Sequence, residues 1–178
     1  MATPQLHPGL HFISQIFSYP SAEGAGQPAL AGLGAEIEEK GEALLAEMSK
    51  IDHLRLETEY VRLFINAMPE VPCPPYGSVY LEGSVMGAST LRVIEIYRKY
   101  GMATDELADH IAVECEFLAW LSGLAGENQA ARQDFSFILE HLRQWTDPFF
   151  SRVEEHDRIG CYRRGAEIGR TVLYGVQI

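Results

Sequence analysis

Apolar residues in this chain recur three and four positions apart, segment after segment, and nowhere alternate over a useful length. That period puts them on one stripe of a helix, whereas a half-buried strand needs a period of two. Leu10, Ile13, Ile16 and Phe17 form the first such stripe, which Pro20 stops. The Gly- and Ala-rich stretch from Ser21 to Gly34, with Pro28, reads as a loop leading into a helix from about Leu30 to Met48. Asp52 can cap a third helix carrying Leu56, Tyr60, Leu63, Phe64 and Ala67. Pro69, Pro72, Pro74 and Pro75 then forbid regular structure, because each lacks an N–H and restricts its predecessor.

The spacing predicts a helix from about Ser84 through Leu91, Ile94 and Tyr97 to a stop at Gly101. Another starts at Thr104 or Asp105 and reaches about Leu124. Residues 127–144 form a helix on Ala131, Phe135, Ile138, Leu139 and Leu142, and Pro148 breaks or restarts the pattern. Two shorter helices at about 148–156 and 160–174 complete the chain. The expectation is an all-α, single-domain bundle of seven to eight helices over residues 1–178, with a proline-rich loop near residues 69–80.

Charge narrows the partners. Fourteen basic against twenty-five acidic residues give a formal charge of −11. Such a field repels phosphate backbones and anionic membranes and attracts basic peptides. The first Lys or Arg is Lys40, so a basic-headed signal peptide is not expected. The longest apolar stretch, Phe117 to Leu124, falls far short of the ~20 residues that span a bilayer. Cys73, Cys115 and Cys161 are widely spaced, with no C-x-x-C, and fit packing cysteines in a reducing compartment. A cytoplasmic location is expected.

Enzyme signatures are missing from the sequence. There is no phosphate-binding G-x-x-x-x-G-K-[ST] loop and no G-x-S-x-G elbow. A di-iron bundle needs Glu-x-x-His on two helices, and none of the six histidines has Glu three residues before it. Two features remain. On the helix expected at 105–124, His110 and Glu114 fall inside the apolar arc of Ile111, Cys115, Phe117, Leu118 and Leu121, while Asp109 and Glu116 lie opposite. A His and a Glu on an apolar face must be satisfied by each other, by backbone, or by a ligand at a groove mouth. The segment Pro72-Cys73-Pro74-Pro75-Tyr76-Gly77-Ser78-Val79-Tyr80 puts two tyrosines on a stiff loop, either to recognise a partner or to plug the bundle end.

At these residues the chain resembles the TorD/DmsD/NarJ family of redox-enzyme maturation chaperones. The resemblance rests on Glu59-Tyr60-Val61-Arg62-Leu63-Phe64, on Pro74-Pro75-Tyr76-Gly77-Ser78-Val79-Tyr80, on Asp109-His110-Ile111 leading to Glu116-Phe117-Leu118, and on His141-Leu142 with Trp145. It implies a cytoplasmic chaperone without catalytic chemistry or cofactor of its own. Such a chaperone binds the twin-arginine signal peptide, or N-terminal region, of a molybdopterin oxidoreductase. It then assists folding, cofactor insertion and export proofreading. Carried over by position, Tyr60, Leu63, Phe64 and Phe117 would line the apolar part of a peptide groove. Pro75, Tyr76, Ser78 and Tyr80 would form the recognition loop, with Asp109, His110 and Glu114 at the polar end, and Tyr19 would match an aromatic closing the first helix.

Two other functions stay open on the residues alone: a helical metal- or small-molecule-binding enzyme using His110 and Glu114, and a structural subunit of an oxidoreductase complex. The chain could be a monomer or exchange helices across its proline-rich hinge to form a dimer.

Overall fold

A computed structural model describes residues 6–20, 30–126 and 128–177. Within them lie eight α-helices: α1 Pro8–Phe17, α2 Ala35–Met48, α3 His53–Tyr60, α4 Gly77–Glu82, α5 Ala88–Lys99, α6 Ile111–Ala125, α7 Gln129–His156 and α8 Cys161–Gly175. Pairing of β type among the described residues is confined to one isolated antiparallel bridge, Tyr76 to His110. The all-α expectation holds. The segment 21–29, read above as most of a loop, lies outside the described residues.

Local chemistry sets the boundaries. Pro8 opens α1, where a missing N–H costs nothing. The Asp52 side chain accepts from the Arg55 N–H at 3.3 Å to cap α3. Asn128 caps α7 by accepting from the N–H groups of Ala130 and Ala131, at 2.9 and 3.2 Å. Gly160, at φ 87°, supplies the left-handed turn into α8, and the Asp157 carboxylate accepts from the N–H groups of Ile159 and Arg163 beside it.

Several boundaries depart from expectation: α2 starts at Ala35 rather than about Leu30, and α6 at Ile111 rather than Thr104 or Asp105. Pro148 neither ends nor restarts a helix, and α7 runs through it for 28 residues. Proline removes one backbone hydrogen bond, but Trp145, Phe149, Phe150 and Val153 around it are fully buried, and their packing holds the helix together. The helix expected from Ser84 begins at Ala88, because the Glu82 carboxylate accepts from the N–H groups of Ala88 and Ser89 at 2.6 and 2.8 Å and folds residues 83–87 into a loop. Part of the proline-rich loop is itself helical, as α4. Val61–Ile65 continues α3 as a π turn, in which the Asn66 N–H reaches back five residues to the Val61 carbonyl at 2.8 Å.

The helices pack in the order α1 on α6, α6 on α7 and α7 on α8, with α8 closing back on α1 and α2 and α4 lying across α7. The core is one contiguous cluster rich in aromatic rings: Phe17, Tyr60, Phe64, Phe149, Phe150 and Tyr162 meet mostly edge-to-face. No helix among the described residues is long and apolar enough to cross a membrane.

Candidate functional site

The proline-rich segment and the start of α6, more than thirty residues apart in sequence, are stitched together through their backbones. The Ile111 N–H donates to the Pro75 carbonyl and the Gly77 N–H to the Asp109 carbonyl, both at 2.9 Å. One oxygen of the Asp109 carboxylate then accepts from the Ser78 N–H at 2.8 Å, at the first turn of α4. Above this seam the Tyr76 ring meets the His110 imidazole edge-on, centroids 5.3 Å apart. The Tyr76 hydroxyl points toward exposed Glu106 at 3.4 Å. Burial and that acidic neighbour push the Tyr76 phenol up to about 12.

Asp109 does not sit opposite the apolar arc as the helical wheel requires. Helix α6 begins two residues later, at Ile111, so Asp109 escapes the wheel and turns inward, 0% exposed. His110 is the N-cap, and its Nδ1 accepts from the Ala112 N–H at 3.1 Å. That role requires an unprotonated Nδ1. Burial lowers the imidazole pKa to about 4 against the opposing charges of Glu106 and Asp109.

Nor do His110 and Glu114 satisfy each other. Glu114, also 0% exposed, pairs instead across to α7, with His141 Nδ1 2.8 Å from its Oε2. Burial raises the Glu114 carboxyl to about 7, although His141 and the Trp145 indole pull it down. Burial would lower the His141 imidazole, but the hydrogen bond and charge of Glu114 outweigh it and raise it. Trp145 Nε1–H approaches the same carboxyl without reaching hydrogen-bond geometry. The second Asp109 oxygen, the Ser78 hydroxyl, Glu114 Oε1, His141 Nε2 and Trp145 Nε1 are all buried without partners. These unmet polar atoms belong to residues linked to one another across the seam, Asp109 to Ser78, Glu114 to His141, and Gly77 against His141 and Trp145.

Gly77 is the hinge of the arrangement. A Cβ there would stand 2.7 Å from Trp145 Nε1 and 3.0 Å from His141 Cε1, so only glycine lets the loop lie this close to α7. Tyr80, one turn on, stacks on Trp145 at 5.6 Å with the rings 22° apart.

The structure thus brings Pro75, Tyr76, Ser78, Tyr80, Asp109, His110 and Glu114 into one assembly, but at different depths. Tyr76 and Tyr80 are half-buried and reach the surface, whereas Pro75, Ser78, Asp109, His110 and Glu114 form the buried support. Tyr60, Leu63, Phe64 and Phe117 are buried in the core and offer no open groove in this conformation. The Tyr60 hydroxyl donates to the Phe17 carbonyl at 3.0 Å, and Phe117 packs on Tyr97 and Tyr100. Tyr19 is half exposed and packs edge-on against Tyr60 at the end of α1. His141 and Trp145 are absent from the expected site, although both stand in the sequence match; their spacing, four apart on one face of α7, was the available signal. Among the described residues no group of three His, Cys, Asp or Glu side chains could hold a metal ion.

A family model described as nitrate reductase delta subunit matches residues 28–151. No curated protein matches the chain. Among solved structures, a crystal structure of an Archaeoglobus fulgidus protein named for redox enzyme maturation is 32% identical, with a TM-score of 0.64, over 93% of this chain and 91% of that one.

Proposed function

Because the chain belongs to the nitrate reductase delta subunit family, within the TorD/NarJ type of redox-enzyme maturation proteins, we propose that it is a cytoplasmic, non-catalytic chaperone that binds the arginine-bearing N-terminal region of a molybdopterin oxidoreductase. The observation that carries this reading is the half-buried Tyr76 ring, backed by buried His110 and with exposed Glu106 at its edge. Two aromatic rings, Tyr76 and Tyr80, stand on a backbone fixed by hydrogen bonds to the start of α6, and a carboxylate flanks Tyr76.

The binding chemistry follows from what each group offers. Tyrosine presents a flat apolar area with one polar tip and few rotatable bonds, so ordering it against a partner costs little entropy. Glu106 is exposed and can accept charge-assisted hydrogen bonds from a guanidinium. The net charge of −11 draws a cationic segment toward the surface from a distance. Asp109 acts one layer down: it anchors Ser78 and so holds the loop that displays both tyrosines.

Calorimetric titration with a synthetic peptide carrying adjacent arginines and an apolar stretch tests the proposal. Binding in the micromolar range, about −8 kcal/mol, is expected. Tyr76→Ala and Glu106→Gln should each weaken it several-fold with the fold intact. Absence of binding to the intact protein, or unchanged affinity in both variants, would sink the reading.

A further inference from the structure

Arg152 is held by an aromatic ring and a backbone carbonyl rather than by a carboxylate. Arg62, Arg164 and Arg170 each face a carboxylate. Arg152, exposed near the end of α7, makes no ion pair among the described residues. Its guanidinium lies over the face of the Tyr80 ring, 5.6 Å from the centroid, and its Nη1 donates a long hydrogen bond, 3.4 Å, to the Pro72 carbonyl. Tyr80 in turn stacks on Trp145, so ring, ring and guanidinium form three layers rising from the core to the surface.

Arg152 borders both the Tyr80 ring and a neighbouring cleft. It lines a cleft of about 630 Å³ between residues 67–72 and the end of α7, whose rim includes Glu70 and Glu155. Neither carboxylate makes an ion pair among the described residues, while Arg62 in the same cleft is neutralised by Glu59 at 2.6 Å. The Tyr80 hydroxyl is buried, and Arg152 approaches it without reaching hydrogen-bond geometry. The aromatic face of Tyr80 and the Pro72 carbonyl, both now engaged by Arg152, are the groups a guanidinium needs, and Glu70 and Glu155 stand in the cleft that Arg152 also borders.

Resting on the proposed binding of an arginine-bearing segment, we infer that the Tyr80 face is the subsite for a client guanidinium and that Arg152 is its resident placeholder, displaced when the client docks. A placeholder held by one cation–π contact, one long hydrogen bond and its approach to the Tyr80 hydroxyl, with no carboxylate partner, is readily released. The client's observed affinity is lowered by the fraction of time Arg152 covers the ring.

Titration of the arginine-pair peptide into wild type, Arg152→Ala and Arg158→Ala tests this. Arg152→Ala should bind about two- to fivefold more tightly, the equivalent of roughly 0.5–1 kcal/mol. Arg158→Ala removes an equal charge from the same cleft and should bind much as wild type does. In a Tyr80→Leu background, shown by thermal melting to be folded, Arg152→Ala should no longer matter. Equal or weaker binding by Arg152→Ala overturns the inference, and so does an equal gain from Arg158→Ala, which would mark a bulk charge effect. If the peptide binds none of the proteins, the functional reading itself has failed and takes the placeholder with it.

Discussion

Glu114 is completely enclosed, and a lone carboxylate there would lose its hydration with little in return. His141 is what makes the residue tolerable, so removing the partner costs more than neutralising the acid. His141→Ala should destabilise the fold by roughly 3–5 kcal/mol. Glu114→Gln keeps shape and hydrogen-bonding capacity and should cost clearly less; urea unfolding at pH 7 compares the two. His110 gives a second handle through pH. The unfolded chain takes up this proton near 6.5, while the folded imidazole stays neutral down to about 4. Its contribution is therefore whole above pH 6.5 and is lost as pH falls toward 4, by up to ~3 kcal/mol. Glu114 has the opposite sign, because its folded value is raised from 4.5 to about 7: its contribution is whole below pH 4.5 and fades as pH rises to 7. Comparing wild type with His110→Asn, which keeps a capping acceptor without a titrating ring, should show a stability gap that changes between pH 6.5 and 4.

At the scale of elements, α7 is the spine: it carries Pro148 through its interior, pairs with α6 and α8, and supports α4. Its start depends on Asn128, and Asn128→Ala should cost about 1 kcal/mol, read as a lower denaturant midpoint. The helix stripes were legible because burial enforces the period, and Asp52 and Gly101 marked ends that the structure keeps. Pro148 misled because local propensity argues for a break, whereas the decisive term is the nonlocal burial of Trp145, Phe149 and Phe150. The same limit applies at the site. Tyr76, Asp109 and His110 could be picked out in the sequence, but Asp109 faces inward only because α6 starts at Ile111. That boundary is set by Pro75 accepting from Ile111, a contact between distant segments. Nothing in the local pattern announces that Glu114 will find His141 on another helix.

Over the whole molecule, the surplus of acid sets the range at which a cationic partner is felt. Screening shortens to about 3 Å in 1 M salt from roughly 10 Å at 0.1 M. Association of the arginine-pair peptide should therefore slow several-fold between low and high salt, while dissociation, governed by close contacts with Tyr76 and Tyr80, should change less. Stopped-flow fluorescence from the two tryptophans can separate the two rates.

The seam between residues 75–78 and 109–111 carries one more implication. Residues 75–78 cannot take up this position alone: they need residues 109–111 to bond to and α7 in place beneath Gly77. A newly made copy that has not yet closed its own core therefore lacks the surface proposed for the client, and on that proposal a client's maturation waits on the maturity of its helper.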